Sequence, residues 1–326
     1  MRIVTLEEHV IFPDLLQQYF PGMGKTQVSP ILQQFGHLLA DIEDQRLTTM
    51  NEQGISTQVL SIVEGGVESS DAGSRIAFAR ACNEQLASRI SAYPGRFAAF
   101  AHLPMIAPDA AALELEYAVK ELGFKGALIS GMIGGLFLDD PTFGPVLEKA
   151  QALGVPLYLH PGPPPAAVYE AYFSRLPKTA GMQLAFSGWG WHSETAIHIL
   201  RLILSGTLDR YPDLQLIIGH MGEMLPMMMA RCDDKFKIQT AGLNRRAISQ
   251  TLRDQVYITT SGLFTLPPLM TAIATFGIER ILFSVDYPFS TNAVGRQFLD
   301  SLPLDEQDRQ RLAYGNADRL LSLGGI

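Results

Sequence analysis

Eight short apolar runs, each separated from the next by a stretch of helical character, limit what this chain can fold into more than any other feature. The first opens with the β-branched Ile3, Val4 and Thr5, and the others fall at residues 58–63, 97–102, 126–130, 155–160, 214–219, 256–260 and 280–285. Runs this uniformly apolar are buried on both faces, as strands of a parallel sheet are. Helices are expected between them at residues 41–53, 70–93, 108–122, 141–153, 193–205, 223–240 and 266–276, with Gly54, Gly123, Gly154 and Gly206 as stops. Residues 12–34 read as a loop with at most a short helix, 131–140 as a loop over the strand ends, and 161–182 as the longest irregular stretch, a candidate lid or subunit contact. Nothing in the composition divides the chain. An eightfold βα alternation of this length predicts a single-domain (β/α)8 barrel, residues 1–326, with inserted loops at its C-terminal face. A doubly wound open sheet needs no eighth strand and usually carries a glycine-rich fingerprint after its first strand, where this chain has Glu7-Glu8-His9.

The balance of residues excludes several roles. Of 326 residues 47% are hydrophobic and 18% charged, the proportions of a soluble globular protein. A net charge of −8 without a basic run argues against a nucleic-acid partner. No apolar run approaches the roughly 20 residues of a membrane helix, and the start lacks the basic and apolar segments of a signal peptide. The two cysteines, Cys82 and Cys232, lie far apart in helix-like segments, which fits a reducing cytoplasm. The methionine-rich run 224–229 suggests subunit packing in a homo-oligomer, a dimer or tetramer.

In such a barrel the active site gathers at the carboxyl ends of the strands. The first strand ends in Glu7 and His9, which alternation places on one face with Glu8 on the other. The fifth ends in His160, the sixth in His220 followed by Glu223, and the eighth in Asp286. His102 ends the third strand and has no assigned role, and His37, His192 and His198 lie away from strand ends. Two carboxylates and two neutral imidazoles balance one divalent cation and leave positions open for substrate, and an oxygen-rich set without cysteine accepts Mn as well as Zn. Asp286 beside such an ion is a candidate proton carrier. Glu223 is placed either to orient His220 or simply to favour a helix N-terminus.

Four motifs resemble the amidohydrolase superfamily: Leu6-Glu7-Glu8-His9, Tyr158-Leu159-His160-Pro161, Gly219-His220-Met221-Gly222-Glu223 and Phe283-Ser284-Val285-Asp286-Tyr287-Pro288. Within it the chain is most similar to the metal-dependent non-oxidative decarboxylases, such as the γ-resorcylate and dihydroxybenzoate decarboxylases, with aminocarboxymuconate semialdehyde decarboxylase more distant. The segments 44–47 and 194–206 share the likeness. The resemblance implies one divalent metal on Glu7, His9, His160 and Asp286, His220 as a base or polariser held by Glu223, and Arg46 against a substrate carboxylate. The chain departs from the wider superfamily in having Glu7 where His-x-His is usual. It also has no lysine at the end of the fourth strand, residues 129–130. Both departures favour a single metal.

The chemistry expected is loss of CO2 from a hydroxy-aromatic or unsaturated carboxylic acid, with Asp286 protonating the carbon that carries the carboxylate. Trp189, Trp191, Phe137 and Phe289 are the candidate rings around the substrate. The alternative is a mononuclear hydrolase of a lactone, amide or other activated bond.

Overall fold

The computed structural model describes residues 1–21, 30–63, 71–238 and 240–324. Eight strands run parallel in chain order: Val4–Val10, Thr57–Ile62, a third in two pieces (Phe97–Ala99 and Ala101–His102), Ala127–Ser130, Leu157–His160, Leu216–Ile218, Val256–Thr259 and Ile281–Leu282. Phe100 parts the third strand, donating to the Leu60 carbonyl at 2.9 Å, while Ala101 donates to Gly126 at 2.8 Å. Between the eighth strand and the first there is one parallel bridge, Glu8 to Tyr287, with the His9 amide donating to the Tyr287 carbonyl at 2.8 Å.

Two apolar clusters follow from this ring. Val4, Leu6, Val59, Phe100, Leu128, Tyr158, Ile217 and Leu282 fill its interior. The opposite faces of the same strands pack on the surrounding helices, through residues such as Ile62, Ile129, Leu159 and Ile218. The strands therefore have no solvent face, which is why they read as unbroken apolar runs.

The helices keep the expected order with shifted ends. Gln45–Gln53 and Gly144–Leu153 stop at Gly54 and Gly154, both left-handed. The methionine-rich helix is Leu225–Lys235 and starts after Glu223. Ile248–Gln255 had no counterpart in the expectations. The loop expected over 12–34 contains the helix Pro13–Tyr19 and the start of Pro30–Ala40, while its glycines Gly22 and Gly24 lie outside the described residues. Residues 161–182 carry Ala166–Tyr172 and the start of Ala180–Ala185. Among the described residues no helix is long and apolar enough to cross a membrane.

Candidate active site

A β-bulge builds the first corner of the site. The register between the first two strands shifts between Thr5 and Glu8. Val4 and Leu6 face the ring interior, so strict alternation would aim Glu8 inward too and Glu7 outward. The extra residue reverses that parity beyond Leu6. Ser284 Oγ supports the bulge by accepting from the amides of Leu6 and Glu7, at 3.2 and 2.7 Å. Glu7 and His9 thereby face the mouth together, although strand 1 is buried along its whole length.

Each inward group is held at one atom and left free at another. Glu7 Oε2 accepts from the Tyr158 hydroxyl and from Thr259 Oγ1, which leaves Oε1 facing His160 Nε2 at 3.3 Å and His220 Nε2 at 3.7 Å. His160 Nδ1 lies 2.8 Å from the Pro161 carbonyl. A carbonyl only accepts, so Nδ1 carries the hydrogen and Nε2 turns its lone pair into the site. His9 Nδ1 meets Ser61 Oγ at 3.1 Å, and its Nε2 lies 3.3 Å from Asp286 Oδ1. Glu7 Oε1, His9 Nε2 and Asp286 Oδ1 are buried and have no hydrogen-bond partner. Unsatisfied buried polar atoms are rare and costly. Three on converging side chains suit a cation, which needs their lone pairs free. Atoms of Glu7, His9 and His160 lie within 4.8 Å of one another, so the residues present fit one divalent ion.

His220 and Glu223 reach the same mouth on a strained turn. His220, Met221, Gly222, Glu223 and Met224 all have positive φ, between 49° and 81°. Side-chain-bearing residues visit this region at a cost of about 1–2 kcal/mol each, and such strain collects at functional sites. The turn sets His220 Nδ1 2.8 Å from Glu223 Oε1 and leaves His220 Nε2 3.8 Å from Asp286 Oδ2. Burial disfavours the charged imidazole, but Glu7, Glu223 and Asp286 outweigh it and lift the His220 pKa well above its ordinary value. Burial likewise opposes ionisation of Glu7, yet the fields of His220, His160 and His9 hold it well below the usual carboxylate range.

Three placements differ from expectation. Arg46 is no substrate contact at the mouth: it is wholly buried. Its guanidinium donates to the carbonyls of Asp41 and His9, at 3.0 and 2.6 Å, and to Gln58 Oε1 at 3.2 Å, and lies over the Tyr287 ring. A helix residue read as solvated or substrate-facing instead braces His9 from behind. Trp189 is 54% exposed, and the ring that approaches His160 is Trp191, at 6.3 Å between centroids. His192, set aside because it ends no strand, donates from Nδ1 to Glu223 Oε2 at 2.6 Å. Its position on the helix Gly190–Leu204 gave no local signal; only the fold brings that helix to the sixth strand.

His102 belongs to neither cluster. Its backbone is gripped by Asn83, and its ring packs on Phe78. His198 Nε2 accepts from the Leu138 amide at 2.9 Å and so ties down the 131–140 loop. Phe289 lies 5.6 Å from His9 and 5.5 Å from Phe35 between ring centroids, an aromatic wall beside His9. Glu8, whose pKa burial pushes up to about 8 against the pull of the Val285 amide, lies along the seam between the first and eighth strands.

The family profile described as amidohydrolase matches residues 36–323. The chain is 40% identical to the decarboxylase orsB of Emericella nidulans, over 98% of this chain and 97% of that protein. It is 39% identical to the γ-resorcylate decarboxylase of a Polaromonas species, over 98% of each. It also superposes on the crystal structure of a dihydroxybenzoic acid decarboxylase from Polaromonas with bound manganese and the inhibitor 2-nitroresorcinol. There the TM-score is 0.88 at 36% identity, covering 99% of this chain and 97% of that one. With the ring of parallel strands and the strand-end residues already described, these matches establish that the chain belongs to the amidohydrolase family.

Proposed function

We propose that this protein is a metal-dependent non-oxidative decarboxylase that releases CO2 from a hydroxybenzoate. The observation that carries the reading is the convergence of Glu7 Oε1, His9 Nε2 and Asp286 Oδ1, buried and without hydrogen-bond partners, beside His160 Nε2. Relatives spanning nearly the whole chain are named as decarboxylases, one of them with manganese bound, which supports it. Glu7, His9, His160 and Asp286 would hold one divalent ion, Mn rather than Zn on the strength of that relative. When bound, the ion supplies a Lewis acid that anchors the substrate's carboxylate and phenolic oxygen and disperses their charge.

The protein residues do the rest. Phe289 beside His9 and Trp191 beside His160 would pack against a flat substrate ring. His220 Nε2, fixed by Glu223 at Nδ1, faces the phenolic oxygen and stabilises its negative charge. Protonated Asp286 gives its proton to the ring carbon that bears the carboxylate. The carbon–carbon bond then breaks, its electron pair returns to the ring, and CO2 leaves. Asp286 regains a proton from water, which its partial exposure allows.

We further read the protein as a cytoplasmic homo-oligomer. Cys82 and Cys232 are buried and not joined by a disulfide, and Met227 and Met228 present apolar surface outward. Light scattering on the purified protein tests the assembly. The catalytic reading is tested by incubating manganese-loaded protein with hydroxybenzoates and aromatic lactones. Stoichiometric CO2 and phenol from an ortho-hydroxybenzoate support it; acid formation from a lactone without CO2 would replace it with the hydrolase.

A further inference from the structure

Between the eighth strand and the first there is a single bridge and no ladder. These two strand ends nevertheless carry three of the four residues assigned to the ion. Apart from the one backbone hydrogen bond from the His9 amide to the Tyr287 carbonyl, side chains must therefore help to set Asp286 relative to Glu7 and His9. The Glu8 side chain spans that seam. Its Oε1 accepts from the Val285 amide and its Oε2 from the Tyr287 amide, each at 3.1 Å. One carboxylate thus accepts from the amides of the residues before and after Asp286. Ser284 Oγ and Gln58 Nε2 donate to the same two oxygens, at 3.3 and 3.4 Å. Gln58 is also bonded by Arg46, whose other nitrogen grips the His9 carbonyl. The network therefore reaches both strand ends.

Two observations set Glu8 apart from an ordinary buried acid. Asp286 has a φ of 72°, a conformation that a residue with a Cβ keeps only when its surroundings enforce it. Glu8 itself is wholly buried, so it touches no substrate. An apolar side chain of similar volume would avoid the desolvation of a carboxylate, so packing of the seam does not account for an acid there.

We infer that Glu8 is the positioning residue for Asp286: by holding the amides of Val285 and Tyr287 it sets Asp286 Oδ1 opposite His9 Nε2 and completes the ligand set. This rests on the metal centre proposed above. The test is a titration of Mn2+ into the metal-free full-length protein, as wild type, Glu8→Gln, Asp286→Asn and the double variant. A glutamine has one acceptor oxygen, and its amino group cannot accept from the second amide.

Wild type should take up one Mn2+ per chain. Glu8→Gln should weaken binding about 10- to 100-fold. The double variant should bind no more weakly than Asp286→Asn alone, because the two amides that Glu8 clasps directly belong to the neighbours of Asp286. Equal affinity in Glu8→Gln and wild type, or a double variant whose loss is the product of the two single losses, overturns the clasp while leaving the metal centre standing. A wild type that takes up no Mn2+ overturns both. If Glu8→Gln does not fold, a crystal structure of the manganese-loaded wild type decides. Glu8 bonded to both amides with Asp286 on the ion supports the inference, and Glu8 turned away or Asp286 off the ion overturns it.

Discussion

The Nδ1 of His220 stands 2.8 Å from Oε1 of Glu223, so the one nitrogen His220 turns into the site is Nε2. A carboxylate that accepts there keeps a proton on Nδ1 and fixes the angle of the ring, while the raised pKa keeps a second proton on Nε2. Glu223→Gln removes one of the charges that hold the second proton on His220. The variant should fold normally and lose about 10- to 100-fold in kcat, with a smaller change in KM. Steady-state CO2 release on the manganese-loaded variant checks this.

Asp286 is both a proposed ligand and the proposed acid. Asparagine tolerates its positive φ better than most residues, so Asp286→Asn should keep the fold and the melting temperature. It cannot deliver a proton, and turnover should fall by at least about a hundredfold. Thermal unfolding together with CO2 release separates lost chemistry from lost structure.

Gly219 precedes His220 and leaves no room for a side chain. A Cβ there would stand 2.7 Å from Glu7 Oε2 and 3.2 Å from the Tyr158 hydroxyl. Gly219→Ala should displace the Glu7 carboxylate and weaken Mn2+ binding about 10- to 100-fold, while circular dichroism stays close to wild type. Isothermal titration with Mn2+ measures the loss.

His198 predicts a pH dependence of stability. Burial lowers its pKa to about 4, and the ring accepts from Leu138 as a neutral base. The unfolded chain takes up this proton near pH 6.5 and the folded chain only near pH 4. Stability should therefore fall as pH drops through that window, by at most about 3 kcal/mol. Urea unfolding of wild type and His198→Gln between pH 7 and pH 4 checks it, since the variant should lack this part of the slope.

The strands were legible because a barrel buries both of their faces, which writes eight apolar runs into the chain. The ends of those runs exposed Glu7, His9, His160, His220 and Asp286 for the same reason: each stands where a buried stretch gives way to ionisable side chains. The bulge between Thr5 and Glu8 was not legible, since an extra residue in a strand leaves no mark on composition. Simple alternation grouped Glu7 with His9 correctly and set Glu8 apart, but it could not show Glu8 reaching across to Val285 and Tyr287, some 280 positions away. His192 and Arg46 were misjudged because each sits on a helix, where a polar residue is usually solvated. Only tertiary packing brings one to Glu223 and the other beneath His9. The helices Pro13–Tyr19 and Pro30–Ala40 were obscured by their prolines, which here sit at first helical positions.

The central claim is that one divalent ion is held where the first, fifth and eighth strands end. An anomalous difference map, collected at the manganese edge from crystals of the manganese-loaded protein, measures this directly. The account predicts one peak per chain within bonding distance of Glu7, His9, His160 and Asp286. No peak, or a peak bound elsewhere with these four side chains apart from it, would contradict it.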